Sequence, residues 1–217
     1  MSCCAPKGYA KLFGGRAARR DVRRYRRKGL DETGELMVRY LRGRGLAGVS
    51  VLEIGAGVGA LSLELLKAGA GPALELELSP AYEDQAAELA REAGLEDRVE
   101  RRLVDVVQER EAVPAADAVV MHRVVCCYPD SDALVGAAAE RARHFLVMSF
   151  PRDRRLFRAG ARALNIWFRL LRWDFRTFIH PPAAILAAAE RRGLRPAFEH
   201  SGRIWQVAAL ERAASGA

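Results

Sequence analysis

The stretch VLEIGAGVGALSLELLKAG, Val51 to Gly69, decides the fold. It begins as an apolar strand at about 50–54, breaks at three alternating glycines and resumes as a helix from Gly59 to about Ala68. A strand that passes through a tight glycine turn into a helix is the opening unit of a parallel α/β sheet. The turn lies at the carboxyl end of the strand, beside the free N–H groups of the next helix. Gly55, Gly57 and Gly59 let the backbone bend sharply and let a ligand approach without meeting a Cβ. GAGVGA is therefore shaped to cradle a small molecule.

The glycine spacing and the nearby acids narrow the ligand. A dinucleotide fingerprint is GxGxxG; here the third glycine comes one residue early. Glu53 stands immediately before the turn. A carboxylate there repels a pyrophosphate and suits an ammonium or a sulfonium, which favours S-adenosylmethionine. The Walker pattern GxxxxGK[ST] is absent. The second strand, ALELEL (73–78), runs into LELSP, with Glu77 at its carboxyl end, 24 residues past Glu53. A carboxylate there can accept both ribose hydroxyls of any adenosine ligand. Glu75 shares its parity but lies earlier, farther from the crevice. The third strand, RVERRLV (98–104), is followed by Asp105, placed to hold an adenine amino group. Each acid alone reads equally well as a solvated turn residue; three at successive strand ends beside the glycine turn do not.

Outward from this unit, strands and helices continue to alternate. Pro80 suits a first helical turn, and that helix runs to Ala93, capped by Gly94. DAVVM (117–121) is a fourth strand, about 132–141 a helix, and HFLVMSF (144–150) a fifth strand. Pro181 and Pro182 open the helix AAILAAAERR, capped by Gly193. LRPAFEH and RIWQVAALER, joined at Ser201–Gly202, read as an antiparallel hairpin at a sheet edge. Upstream, residues 1–15 read as irregular. RAARRDVRRYRRK (16–28) is a basic helix with a thin apolar stripe, and Gly29 fits its C-cap. Asp31 or Thr33 caps a further helix whose apolar face is Leu36, Met37, Tyr40 and Leu41.

VLEIGAGVG, LELSP and LVD together resemble the class I S-adenosylmethionine-dependent methyltransferases, over residues 50–210. The resemblance implies an α/β, Rossmann-like three-layer sandwich. Its sheet has seven mostly parallel strands in the order 3-2-1-4-5-7-6, with strand 7 antiparallel. It implies one domain over 1–217, with an N-terminal helical cap at about 1–48 and a lid-like insert at about 151–180. Glu53, Gly55, Ala56, Gly57 and Gly59 would hold the methionine portion, Glu77 with Leu78 the ribose, and Asp105 with Val106 the adenine. DAVVMHRVVCCYPD (117–130) is similar to the family's fourth-strand motif, so His122 would also touch the cofactor. The product would be S-adenosylhomocysteine.

Methyl transfer from a sulfonium is an in-line displacement, so the protein must hold the nucleophile behind the methyl carbon and exclude water. No metal is needed. A carboxylate acceptor needs no base, whereas a hydroxyl or amine must lose a proton. His122, directly after the fourth strand, is the candidate base; a histidine packed over the adenosine is the plainer reading. Tyr128 is a candidate pocket residue, and Cys126 and Cys127 are small pocket-lining thiols. His144 starts the fifth strand far from the site, His180 can enter from the lid side, and His200 belongs to the hairpin. Four scattered histidines lack ligand spacing. The pairs Cys3–Cys4 and Cys126–Cys127 are not zinc knuckles. Reduced thiols, an N-terminus without the apolar stretch of a signal peptide, and no apolar run of membrane-spanning length point to a cytoplasmic protein.

The net charge of +8 is uneven. Residues 1–45 carry 13 basic and 4 acidic groups, residues 46–150 carry 9 and 18, and residues 151–180 carry 8 and 2. An acidic body bracketed by basic segments suits an anionic partner, although a solvated arginine-rich surface gives the same pattern. The insert adds Phe157, Trp167, Phe168, Trp173, Phe175 and Phe178 to its arginines. This order and composition resembles the magnesium-protoporphyrin methyltransferase branch, and implies a small-molecule acceptor that is anionic and aromatic. The broad apolar face of 154–173 also suits a homodimer partner or an anionic membrane surface. Nucleic acid is less supported: HRVV departs from the Asn/Asp-Pro-Pro-Tyr/Phe motif that amino-directed nucleic-acid methyltransferases resemble. Two further readings are a non-catalytic nucleoside-binding protein of the same fold and a nicotinamide-dependent oxidoreductase, the latter opposed by the early glycine and Glu53.

Overall fold

The computed structural model describes residues 8–213. Seven strands form one sheet in the order β3-β2-β1-β4-β5-β7-β6. These are β1 (Val51–Ile54), β2 (Ala73–Glu77), β3 (Val99–Leu103), β4 (Ala116–His122), β5 (Ala142–Pro151), β6 (Leu194–Ser201) and β7 (Trp205–Arg212). β1 pairs in parallel with β2 and β4, β2 with β3, and β4 with β5. β7 runs antiparallel to both β5 and β6, as expected from the sequence.

The strand sequences explain why both faces are covered. In β4, Ala118 and Val120 belong to one apolar cluster, while Val119 and Met121 belong to the other. Phe145 and Val147 of β5 alternate in the same way with Leu146 and Met148. Such a strand leaves the apolar side chains of one face in water if only the other is packed, so helices must close both sides. On one side lie α6 (Ser131–Arg141) and α8 (Pro182–Glu190), through residues such as Leu134 and Ile185. On the other lie α3 (Glu32–Arg42) and α4 (Ala60–Lys67), through Met37, Leu41, Leu61 and Leu65. α2 (Gly15–Lys28) packs Ala18 and Val22 against Leu89 and Ala90 of α5 (Glu83–Glu92). The thin apolar stripe of the basic helix is enough for that one contact.

Both sheet edges are polar, which discourages pairing with another chain. β3 exposes Glu100, and β6 carries Pro196 at a register shift, where a missing N–H costs no ladder bond. Two readings need correction. Residues 1–15 are not wholly irregular, because Tyr9–Leu12 forms a helical turn, α1. Residues 80–93 are not one helix: Pro80–Tyr82 is a 3-10 turn that buries Tyr82 before α5 begins. The remaining helix, α7 (Arg155–Leu170), follows β5. Among the described residues no helix is long and apolar enough to cross a membrane.

Candidate functional site

A cavity of about 380 Å³ opens at the carboxyl ends of β1, β2 and β4, within the size range of small-molecule sites. Its wall contains Glu53, Gly55, Ala56, Gly57, Glu77, Leu78, Asp105, Val106, His122 and Tyr128. The sequence named all of these, from five separate segments. Gly59 is not in the wall. A Cβ on Gly59, which has φ +73°, would lie 2.5 Å from a carboxylate oxygen of Glu75. Its smallness serves a buried acid rather than the ligand. Gly55, at φ +70°, is pressed against Val124, where a Cβ would meet Cγ2 at 2.6 Å. The N–H groups of Gly55 and Ala56 donate to the Leu76 carbonyl at 2.8 and 3.0 Å, pinning the turn to β2.

Glu77 is held by three backbone donors. Gly57 N–H reaches Oε2 at 2.8 Å, while Leu78 and Ser79 N–H reach Oε1 at 2.7 and 3.0 Å. A carboxylate offers about four acceptor sites, so one remains for a hydroxyl in the cavity. Asp105 accepts from Val107 N–H at 2.9 Å and from the Tyr128 hydroxyl, 3.2 and 3.1 Å from its two oxygens. Burial, followed by the nearby Asp105 charge, pushes the Tyr128 phenol well above its ordinary value. It therefore stays a donor, and it links the β4 loop to the acid after β3.

Glu53 departs from its expected role as a charged neighbour of the ligand. Its carboxyl is 2 % exposed and accepts from Ser62 N–H and Oγ at 2.9 and 2.5 Å. Burial, then the proximity of Glu75, pushes its pKa up to about 8. At neutral pH the group is largely uncharged, so the negative carboxylate nearest the turn is Glu77. Because the folded state raises this pKa from 4.5, Glu53 favours folding most at acidic pH and progressively less as pH rises toward 8. Glu53→Gln is expected to flatten the loss of stability between pH 5 and 8, as measured by thermal melts. Parallel pH profiles for the variant and the parent would contradict this assignment.

The N-terminal segment closes the cavity more completely than its sequence suggested. Tyr9, Phe13, Arg20, Asp21, Arg24, Tyr25, Leu30 and Asp31 all line it. Tyr9 donates to the Cys127 carbonyl at 2.8 Å, Ser79 Oγ to the Phe13 carbonyl at 2.6 Å, and the Tyr82 hydroxyl to Asp21 at 3.1 Å. Two isolated aromatics in a glycine-containing segment carry no periodic signal, so Tyr9 and Phe13 were not legible as wall residues. The insert differs from expectation: no residue of 151–180 lines the cavity. It touches the cap from outside, with Phe175 edge-on to Tyr9 and Phe13 at 5.6 Å between ring centres.

His122 and the cap form a polar constellation. Asp31 N-caps α3, accepting from Thr33 and Gly34 N–H at 3.0 Å each. His122 Nε2 lies 3.2 Å from Asp31 Oδ1 and 3.0 Å from Thr33 Oγ1. Burial alone would raise the Asp31 pKa. The contact with His122 and the donors of Thr33 and Gly34 outweigh it and hold the carboxyl well below the usual range. Arg123 has a left-handed backbone (φ 61°) and lies over the Trp205 ring at 4.5 Å, with Nη2 2.6 Å from Asp31 Oδ2. Its N–H donates to Ser149 O and Oγ at 3.2 and 3.0 Å. That backbone costs an L-residue about 1–2 kcal/mol, and it sits beside the candidate base, where such strain tends to serve function.

His180 does not enter the cavity; its Nε2 lies 2.9 Å from the Tyr128 carbonyl, and burial lowers its pKa. Cys127 is in the wall and Cys126 is buried behind it, with the sulfurs 3.7 Å apart and unbridged. Cys3 and Cys4 lie outside the described residues.

Strand order, reversed seventh strand and a crevice at the carboxyl ends define the fold of the class I methyltransferases. No family model and no curated protein matches the sequence. Among solved structures, the chain is similar to magnesium protoporphyrin IX methyltransferase from Synechocystis PCC 6803, crystallised with bound SAH. The identity is 21 %, over 95 % of this chain and 97 % of that one, with a TM-score of 0.73. It is also similar to geranyl diphosphate C-methyltransferase from Streptomyces coelicolor A3(2), at 15 % identity over 82 % and 79 % of the two chains, with a TM-score of 0.65. The [4+2]-cyclase SpnF matches at 16 % identity over 82 % and 79 %, with a TM-score of 0.64. The likeness is one of fold; what fills the cavity must be argued from its residues.

Proposed function

We propose that this protein transfers a methyl group from S-adenosylmethionine to a small or medium anionic organic acceptor. The observation that carries the reading is the wall itself. A glycine turn, Glu77 and Asp105 meet at the ends of three neighbouring strands around one cavity, an arrangement that would suit in turn a methionine tail, a ribose and an adenine. Glu77 would accept a ribose hydroxyl through its remaining acceptor site, and Asp105 with Tyr128 would bound the adenine. The cofactor supplies the electrophilic methyl when bound. The chain's own work is to orient the acceptor, close the cap over it and take up a proton where the acceptor has one.

Arg20, Arg24 and Arg123 in the same wall support an anionic acceptor, since guanidinium groups recognise carboxylate and phosphate directionally. A porphyrin-like carboxylate is a second reading. It is favoured by one observation, that the likeness to the protoporphyrin enzyme extends over 95 % of this chain and so takes in the cap and the insert. An acceptor of that kind would need no base.

The test is calorimetric titration with S-adenosylmethionine and S-adenosylhomocysteine, followed by turnover on anionic acceptors with the product identified by mass. Absence of binding to either nucleoside at micromolar protein would refute the proposal. Glu77→Ala is expected to weaken nucleoside binding by about 1–3 kcal/mol, the cost of removing a charged hydrogen-bond acceptor. Unchanged affinity would remove Glu77 from the ribose role.

A further inference from the structure

No residue of the insert lines the cavity, yet among the described residues it carries most of the large exposed apolar side chains. Of the α7 side chains only Phe168 is buried. Leu156 is 77 % exposed, Leu170 71 %, Ile166 60 %, Trp167 58 % and Leu164 43 %. At about 100° per residue these five, with Ala159 and Ala163, occupy one arc of roughly 160°. The opposite side of the helix holds Phe168 and Asn165; the latter exchanges two hydrogen bonds with Thr177, at 2.8 and 2.9 Å, and fixes the helix to the chain that follows it. The apolar arc is thus turned outward by the fold. Arg155, Arg158, Arg162 and Arg169 form a row along one flank, and α7 contains no acid. One more large apolar side chain is exposed in the turn between β6 and β7, which is bonded to the chain just before α7. There Ile204 is 52 % exposed and its carbonyl accepts from Arg152 N–H at 2.8 Å.

We propose that α7 is a docking helix for an anionic lipid surface. An outward apolar arc that includes tryptophan, flanked by arginines, is the pattern of a helix that lies in the plane of a membrane interface. The charge argues for anionic lipid over a second copy of the chain. The segment 151–180 carries 8 basic and 2 acidic groups, so pairing two copies of this face would bring two arginine rows together. An anionic bilayer accepts the arcs and attracts the arginines. Arginine stems can lie along the apolar surface while their heads reach the lipid phosphates. The proposal does not depend on what the cavity binds.

The protein should be floated with vesicles of phosphatidylcholine alone and of phosphatidylcholine with about 30 % phosphatidylglycerol, a composition chosen to give the negative surface the proposal requires. Binding is expected to the anionic vesicles only, and to weaken as salt is raised. Ile166→Asp/Leu170→Asp, both exposed positions, is expected to reduce the bound fraction at least about tenfold, with an unchanged melting temperature. Arg155→Gln/Arg162→Gln is expected to weaken binding to the anionic vesicles at low salt. The proposal is overturned by absence of flotation with the anionic vesicles or by equal binding to neutral ones. It is also overturned by a solution dimer that the Ile166→Asp/Leu170→Asp variant dissociates while the parent ignores lipid. Nucleoside titration of the same samples separates this outcome from the methyltransferase reading, since the α7 variants should bind the nucleoside as the parent does.

Discussion

Arg101→Met is expected to destabilise the protein by about 3–5 kcal/mol, the cost of leaving one partner of a buried ion pair uncompensated. Arg101 lies on β3 directly across from Glu75 on β2. Its guanidinium contacts Glu75, approaches Glu83 Oε1 at 3.2–3.3 Å and donates to the Gly57 carbonyl at 2.9 Å. Glu75 is 1 % exposed and Glu53 beside it is largely uncharged, so Arg101 is the counter-charge for Glu75 beneath the glycine turn. Methionine preserves much of the stem's volume, which isolates the lost charge from a lost packing contact. Urea unfolding at neutral pH measures the effect. Arg101→Met/Glu75→Gln should recover more than half of the loss, because an amide costs less to bury than a carboxylate. A loss below about 1 kcal/mol in the single variant would mean that Glu75 takes up a proton easily and the network contributes little.

This network shows where sequence reasoning stopped. On β2, Glu75 lies earlier than Glu77, farther from the crevice, and it is not among the residues that line the cavity. What was not visible is that Glu75 sets the size limit at Gly59 and is answered by Arg101, 26 positions later. Charges in adjacent strands pair only when the register is known, and register depends on the whole sheet. The strands themselves were legible because alternation along β4 and β5 has no other outlet than two covered faces. The cavity acids were legible because they end strands, and strand ends in a parallel sheet converge on one edge. The Asp31–His122 contact spans 91 positions, and it arises from where α3 comes to rest, which helix periodicity does not encode. For α7 the sequence showed a broad apolar face and arginines. Periodicity says that such a face wants cover; it does not say whether the protein supplies it. Here Phe168 and Asn165 take the inner side and leave the leucines outside.

His122→Ala is expected to lower turnover by about 100-fold or more, the low end of what a positioned base contributes, while nucleoside affinity changes less than about twofold. With a proton on Nε2, His122 donates to Asp31 or Thr33, and Nδ1 becomes the acceptor nitrogen. A neighbouring carboxylate fixes that tautomer and stabilises the imidazolium formed on proton uptake. Asp31 can do this because it remains ionised far below neutral pH. Asp31→Asn should therefore lower turnover also, by less than removal of the ring, and should leave acceptor binding largely intact. The size of the His122 effect also reports on the acceptor atom. A hydroxyl or amine gives up a proton as the methyl arrives and feels the full loss. A carboxylate has none to give, so a loss below about tenfold would move His122 from base to positioning residue and turn the reading toward carboxylate methylation. Equal losses in turnover and nucleoside affinity would instead make the ring a packing element of the floor, because a group that acts only on the acceptor's proton leaves the cofactor's ground-state binding alone.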